Sequence, residues 1–371
     1  MLAAIDQGLI YAVLALGVFL TFRILNFADL TVDASFTTGG GTAAVLIVNG
    51  VSPYVATCAG LLAGAVAGGI TAFLHVVCRI DPLLASILTM LGLYSINLRI
   101  MGGPNIPLLN RASVFSQLSQ QRLIGTGVSV ALLALLALLL KLALDWFLAT
   151  DFGLAVMATG DNPAMAASFG VNSAFTKLVA LMLANGLAGL CGALMAQYSG
   201  FADIGGGTGL ILVGLASVIL GNALLGTRYM FLTTLGVVVG SVAYRLVIFF
   251  ALKTPFLKAQ DMKVISAVIV VIALVVSQSK RVRELVGRLG LHRSRDDLPE
   301  PMTVVPNPFS PMASIDSTAF VATTVSGEGG AASRQTATRS SFDSVTLPDE
   351  QTHPVLAQAK PEGQSGKEAE S

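Results

Sequence analysis

Roughly nine stretches of this chain are apolar over membrane-spanning lengths, and that limits the fold more than any motif does. They lie near Gly8–Leu25, Asp33–Asn49, Pro53–Cys78, Leu83–Met101, Gly127–Leu148, Ala174–Tyr198, Gly207–Gly226, Tyr229–Leu252 and Met262–Ser279, the second being the shortest. A bilayer asks for ~20 apolar residues per helical crossing. Inside hydrocarbon each backbone N–H and C=O must find a partner within the protein, so these stretches are expected to be helices. The expectation is therefore an all-α integral membrane protein, a polytopic helical bundle of about 8–10 spans over residues 1–279. Composition agrees, with 54% hydrophobic and 12% charged residues. The opening MLAAIDQGLIYAV has no basic leader and carries Asp6, which predicts an uncleaved first span in contact with membrane lipid.

Sidedness is read from basic residues near the span ends. Lys280, Arg281, Arg283, Arg288, Arg293 and Arg295 follow the last span, so that end is expected to be cytoplasmic. Counting back puts the N-terminus outside and Asp151–Gly170 inside, together with Arg23, Arg79, Lys177 and Arg228. Arg111, Arg122, Lys253 and Lys258 then fall outside, so the asymmetry rests mainly on the basic juxtamembrane segment 280–295. From Asp296 to Ser371 the chain is rich in Pro, Ser, Thr, Ala and Glu. Such a composition buries too little apolar surface to offset the entropy of ordering, which predicts a disordered cytoplasmic tail over 296–371.

Several chemistries have no footing. There is no GxxxxGK[ST] loop, HExxH or GxSxG, and His75, His292 and His353 are far apart. Cys58, Cys78 and Cys191 lie in separate apolar runs without metal-ligand spacing, as small buried thiols would. A net charge of +1 with no basic block among aromatics gives nucleic acid no surface. No metal, cofactor or catalytic residue is expected.

What remains is a set of polar residues inside apolar sequence, where they are costly. Asp29, Thr31, Asp33 and Ser35 interrupt the first apolar hairpin, and Gly39, Gly40 and Gly41 follow. Phe201-Ala202-Asp203-Ile204 repeats the Phe-Ala-Asp-aliphatic pattern of Phe27–Leu30, again followed by glycines. Broken spans in corresponding positions of two halves mark the substrate path of transporters, and the counted topology puts these two on opposite faces, as an inverted repeat requires. The alternative is a pair of interfacial turns capped by aspartate. Arg245, inside a span, should face the interior and be paired, with Asp203, Asp33 or Asp29 as candidates. Arg99 stands nearer a span end and can snorkel. The series Gly60, Gly64, Gly68 and Gly186, Gly189, Gly192 read as close helix-packing faces.

Between two long spans, Asp151–Gly170 carries a short-helix grammar. Asn162 is a good N-cap, Pro163 suits the first helical position and Gly170 supplies the stop. Met165 and Phe169, four apart, share one face of a helix about two turns long. Spacing alone fits a docking element or a plain surface turn equally.

The run GLIYAVLALGVFLTFRILNFADLTVDAS, from Gly8 to Ser35, resembles the start of inner-membrane permeases of ATP-binding-cassette importers, in the branch of branched-chain amino acid and ribose-type permeases. Asp29-Leu30-Thr31-Val32 is similar to a segment of the sugar permeases, and Gly160-Asp161-Asn162-Pro163-Ala164 through Gly170 to the coupling segment that meets the ATPase. Ala184–Ala196 and Gly207–Gly226 resemble the following span and the second broken helix. The nearest subgroup takes up aromatic amino acids such as tryptophan and tyrosine. Asp33 departs from the glycine of the sugar permeases, which argues against a sugar and suits a cationic or zwitterionic substrate.

The resemblance covers residues 1–279. It implies an importer assembled from two permease copies, a homodimer being expected, with separate cytoplasmic ATPase subunits and an external substrate-binding protein, in a bacterial inner membrane. It also implies a translocation path lined by Asp29, Thr31, Asp33, Ser35, Asp203 and Arg245, and ATPase coupling through Asp161, Asn162, Pro163, Met165, Phe169 and Gly170. ATP hydrolysis would then belong to the partner chain and not to this one. A gradient-driven secondary transporter would share the broken spans but work alone. A membrane enzyme would need a convergent titratable site, for which His75 is the single intramembrane histidine.

Overall fold

The architecture is that of a computed structural model, which describes residues 1–109, 111–116, 126–226 and 229–252, with 268 and 271. Apart from those two residues, the expected span Met262–Ser279 lies outside the described residues, as do segments 280–295 and 296–371, Arg122, Arg228, Lys253 and Lys258. Each earlier apolar run is a helix. In chain order these are α1 (Leu2–Val18), continued by a π-helical turn over Phe19–Ile24, then α2 (Thr31–Val48), α3 (Pro53–Val76) and α4 (Pro82–Met101). After strand β1 (Asn105–Pro107) come α5 (Gly127–Ala149), α6 (Asp151–Asp161), α7 (Pro163–Ser168) and α8 (Ser173–Ser199). Strand β2 (Phe201–Asp203), α9 (Leu210–Leu225) and α10 (Met230–Leu252) complete the described chain.

Among the described residues, six helices are long and apolar enough to cross a membrane: α1 with its π-turn, α3, α4, α5, α8 and α10. The two expected spans that fall short are α2, with a polar first half, and the 16-residue α9. These are the helices that follow the two interruptions, so the discontinuity expected from sequence appears as two foreshortened spans. The chain is a multi-pass membrane protein.

α1 and α8 form the centre of the bundle, with 78% and 72% of their apolar windows buried against 28% for α4 and for α5. Side chains on α4 and α5 such as Leu91, Leu135 and Trp146 point outward, as lipid-facing residues do. Packing within lipid has no hydrophobic drive, so it relies on close backbone approach through small residues. Both glycine series serve this purpose. A Cβ on Gly39 would overlap the backbone of Gly189, one on Gly192 the Phe36 carbonyl, and ones on Gly64 and Gly68 the carbonyls of Asn185 and Leu181. Gly186 is looser, in ordinary contact with Ala65. α2, α3 and α8 are thus joined along one seam. Of the cysteines, Cys191 is buried and its Sγ reaches the Ile10 carbonyl at 3.2 Å, whereas Cys58 and Cys78 are exposed. The expectation of three buried thiols is corrected for those two, because they sit on the outward face of α3 and at its end.

At the far end of α8, β2 pairs with β1 in an antiparallel ribbon, Asn105 opposite Asp203 and Pro107 opposite Phe201. At the near end α7 forms where a short helix was expected, and α6 precedes it where a loop was expected. α6 forms despite Gly153 and Gly160 because both glycines permit close contact: a Cβ at Gly153 would overlap the Phe147 carbonyl, and one at Gly160 the Ile24 carbonyl. The Thr150 hydroxyl caps it by accepting from Gly153 N at 3.2 Å.

Candidate functional site

The first interruption begins where α1 widens into its π-turn, a form that recurs at functional positions. Leu25 N reaches Leu20 O at 3.0 Å and Phe27 N reaches Thr21 O at 2.9 Å. Asn26 follows with φ at +51°, a left-handed conformation that asparagine tolerates better than most residues. Phe27 is buried edge-on to His75, with centroids 5.2 Å apart. His75 Nδ1 is 2.9 Å from the Ile80 carbonyl, which can only accept, so that nitrogen carries the proton and Nε2 accepts from Lys177 at 3.2 Å.

Beyond Phe27 the polar residues form a closed knot. Asp29, wholly buried, accepts from Thr31 N at 2.9 Å and from Asn185 Nδ2 at 2.6 Å. Ser35 Oγ donates to Asn185 Oδ1 at 2.7 Å, and the hydroxyls of Thr31 and Thr71 are 2.7 Å apart. Asp29, Thr31 and Ser35, expected along a path, line neither of the two cavities near the breaks and face one another instead. Asn185, the hub of the knot, lies in the run Ala184–Ala196 that the resemblance covers, with no role of its own expected from the sequence. Its signal is a carboxamide in the middle of the otherwise apolar run Leu178–Ala196.

Asp33 joins the two interruptions. From the first turn of α2 its carboxylate accepts from Gly209 N at 2.7 Å and Ile211 N at 2.8 Å, capping α9 across 176 and 178 residues of sequence. Helix N-termini carry unpaired N–H groups and positive potential, which a carboxylate satisfies. The loop before α9 is tight here, since a Cβ on Gly207 would overlap the Asp33 carbonyl.

Two cavities flank α2, and Thr37 lines both. The larger, about 250 Å³, is bounded by Tyr11, Phe36, Thr37, Met195, Phe201 and Asp203. Tyr11 and Phe36 stack in it at 6.2 Å with planes 11° apart. The second, about 190 Å³, includes Asp33, Tyr94, Asn97 and Thr208, and the buried Asn97 Oδ1 meets no donor among the described residues. Asp203 is exposed on β2 and borders the larger cavity.

For Arg245 the expected carboxylate partner is corrected. Its guanidinium lies 3.9 Å over the Tyr11 ring, while Asp29 and Asp33 are engaged elsewhere and Asp203 sits on the ribbon. An arginine is weakly hydrated and stacks well on an aromatic face, so a ring serves where a carboxylate was expected. A second buried charge cluster went unread in the run Gly127–Leu148. Lys141 pairs with Asp145 at 2.5 Å and lies 2.9 Å from the centre of the Phe231 ring, and Thr234 Oγ1 donates to Asp145 at 2.7 Å. The signal was a Lys and an Asp four apart inside a span, on one helix face.

The short helix is built as its sequence suggests. Asn162 Oδ1 accepts from Met165 N at 3.0 Å, Pro163 opens α7, and Gly170 ends it at φ +83°. Val171 N closes back on Ala166 O at 3.1 Å. Asp161 ends α6 and is exposed. Met165 and Phe169 are 58% and 77% exposed, two large apolar side chains left uncovered by the described residues.

Comparison with known proteins bears on the family of the chain. Residues 1–276 match the family model described as branched-chain amino acid transport system / permease component. A tyrosine transport system permease protein of Clostridioides difficile is 39% identical over 73% of this chain and 88% of its own length. An uncharacterized protein of Rickettsia prowazekii is 33% identical over 60% of this chain and 76% of its own. The autoinducer 2 import system permease protein LsrC of Salmonella typhimurium is 33% identical over 62% and 65%. A solved structure, PsaBC from Streptococcus pneumoniae in complex with Fab, aligns at 14% identity and a TM-score of 0.46 over 76% of this chain and 92% of that one, too loosely to add to the argument. The two interrupted spans, and a family match running from the first residue through the last described helix, make this chain a member of the branched-chain amino acid transport system permease family.

Proposed function

We propose that this permease forms the membrane pathway of an importer driven by a separate ATP-hydrolysing subunit, and that the solute is an aromatic amino acid. The observation that carries the first half is the exposed pair Met165 and Phe169 on a capped helix. An apolar ridge at the end of a bundle fits a helix-in-groove contact, with Asp161, Asn162, Pro163 and Gly170 fixing its shape and rim. The docking face is cytoplasmic in this reading, and the β1–β2 ribbon at the other end of α8 receives an external binding protein. Two copies of the chain, in a bacterial inner membrane, complete the assembly.

For the solute, the larger cavity offers a stacked Tyr11–Phe36 wall and the Asp203 carboxylate. Aromatic faces suit an aromatic side chain, and the carboxylate suits an α-ammonium group. The tyrosine permease among the relatives supports the same class. Thr37 lines this space, Arg245 lies over its Tyr11 ring and Asp33 borders the second cavity, whereas Asp29, Thr31 and Ser35 act on it through the position of α2.

The test is recovery of partners from gently solubilised native membranes with a tagged chain. The unaltered protein should bring down a Walker-motif ATPase in near-equal amount. Phe169→Asp should insert equally well but lose that partner at least about tenfold, because a charge is placed in a dry contact. Equal recovery with Phe169→Asp would overturn the docking role of α7.

A further inference from the structure

α7 makes few contacts with the bundle, yet the helix before it is keyed to the first interruption. The end of α6 meets the chain between α1 and α2 at Gly160, where a Cβ would overlap the Ile24 carbonyl and lie 3.0 Å from Leu25 Cα. At the same point Asn26 Nδ2 donates to the Gly160 carbonyl at 3.1 Å, across 134 residues of sequence. One residue earlier, the Thr159 and Thr176 hydroxyls are 3.0 Å apart, tying α6 to the start of α8. Gly160 therefore has backbone contact on one side and a single side-chain hydrogen bond on the other. Asn26 is itself in the left-handed region, where few side chains rest without strain.

We propose that the Asn26–Gly160 pair is the joint through which movement of the docking segment reaches the first broken helix. The inference rests on the docking role of α7 proposed above. A displacement of α7 moves Asp161 and Gly160 with it, since Asn162 N remains bonded to Ala158 O at 3.0 Å. At Gly160 the closeness of the two backbones transmits compression, and the asparagine bond transmits tension. Together they let the chain at Asn26 follow α6 in both directions. From Asn26 the next residues are Phe27, packed on His75, and Asp29, bonded to Asn185. The joint thus ends on the knot that sets the start of α2. Asn26 and Gly160 line neither of the two cavities described above, so they are positioning residues.

Substitutions at Asn26 separate a joint from a mere turn. Asn26→Gly keeps the positive φ without cost but removes the bond. Asn26→Asp keeps a residue tolerant of that conformation, but its carboxylate has no proton to donate to the Gly160 carbonyl. The readout is hydrogen–deuterium exchange of peptides spanning residues 26–35 in the purified permease–ATPase complex, with and without a non-hydrolysable ATP analogue. In the unaltered complex the analogue should change exchange in these peptides. In Asn26→Gly and Asn26→Asp the change should fall about fivefold, the worth of one neutral hydrogen bond, while the ATPase stays bound and hydrolyses ATP. A full response in Asn26→Gly, or no response in the unaltered complex, overturns the joint and leaves docking intact. Failure of the unaltered chain to recover any ATPase removes the docking reading and the joint with it.

Discussion

Phe27-Ala28-Asp29-Leu30 and Phe201-Ala202-Asp203-Ile204 read almost alike, yet the bundle uses them in opposite ways. Phe27 is 3% exposed and Phe201 47%, and Asp29 is sealed in a knot while Asp203 stands open beside a cavity. The first copy follows a widened helical turn and has its polar atoms met by Thr31 and Asn185. The second is a strand of a two-stranded ribbon, followed by a glycine-rich loop. The two interruptions therefore differ in kind, one buried and bonded within the bundle and the other open beside a cavity. Which form a copy takes depends on whether a neighbouring span supplies a hydrogen-bonding side chain. α8 offers Asn185 to the first copy; the second has β1 backbone and solvent.

The largest effect is expected at the hub of the buried knot. Asn185→Leu strips Asp29 and Ser35 of a partner at once and leaves a buried carboxylate short of donors, a change worth ~3–5 kcal/mol. Thermal unfolding in detergent should show a large drop, and a near-normal midpoint would break the distinction between the copies. Asp33→Ala comes next, removing two charge-assisted bonds and the cap on α9 for about 2–3 kcal/mol. Asp33→Asn, which keeps an acceptor, should recover part of that loss in the same measurement. Asp203→Asn is the smallest in stability, within about 0.5 kcal/mol as for exposed sites. Under the proposed transport role, its effect should appear instead in weaker uptake of aromatic amino acids by cells carrying the variant. If Asp203→Asn unfolded the protein as readily as Asn185→Leu, the two interruptions would be equivalent after all.

Local grammar carried the parts of this structure that depend on neighbours in sequence. The cap at Asn162, the stop at Gly170 and the spacing of Gly60, Gly64 and Gly68 are each settled within a few residues, and each appears as read. The knot is different, because Asp29 and Asn185 are 156 residues apart and neither alone names the other. Charge reasoning sought a carboxylate for Arg245 and overlooked Tyr11, an aromatic ring that in an apolar span reads as core. α6 was hidden because Gly153 and Gly160 weaken a helix in isolation, and only tertiary contact shows why glycine is needed there. The second capping role, Asp33 on α9, was legible only as a polar residue out of place.

The glycine seam between α2, α3 and α8 also bears on how this chain can change over generations. At most crowded sites a harmful enlargement can be rescued when the opposing side chain becomes smaller. At Gly39, Gly189 and Gly192 the opposing atoms are main chain: the Gly189 backbone, the Gly60 carbonyl with Gly64, and the Phe36 carbonyl. No substitution shrinks a carbonyl. These positions therefore have no side-chain suppressors, and a lineage that loses one of these glycines regains the packing only by reversion or by shifting a whole helix.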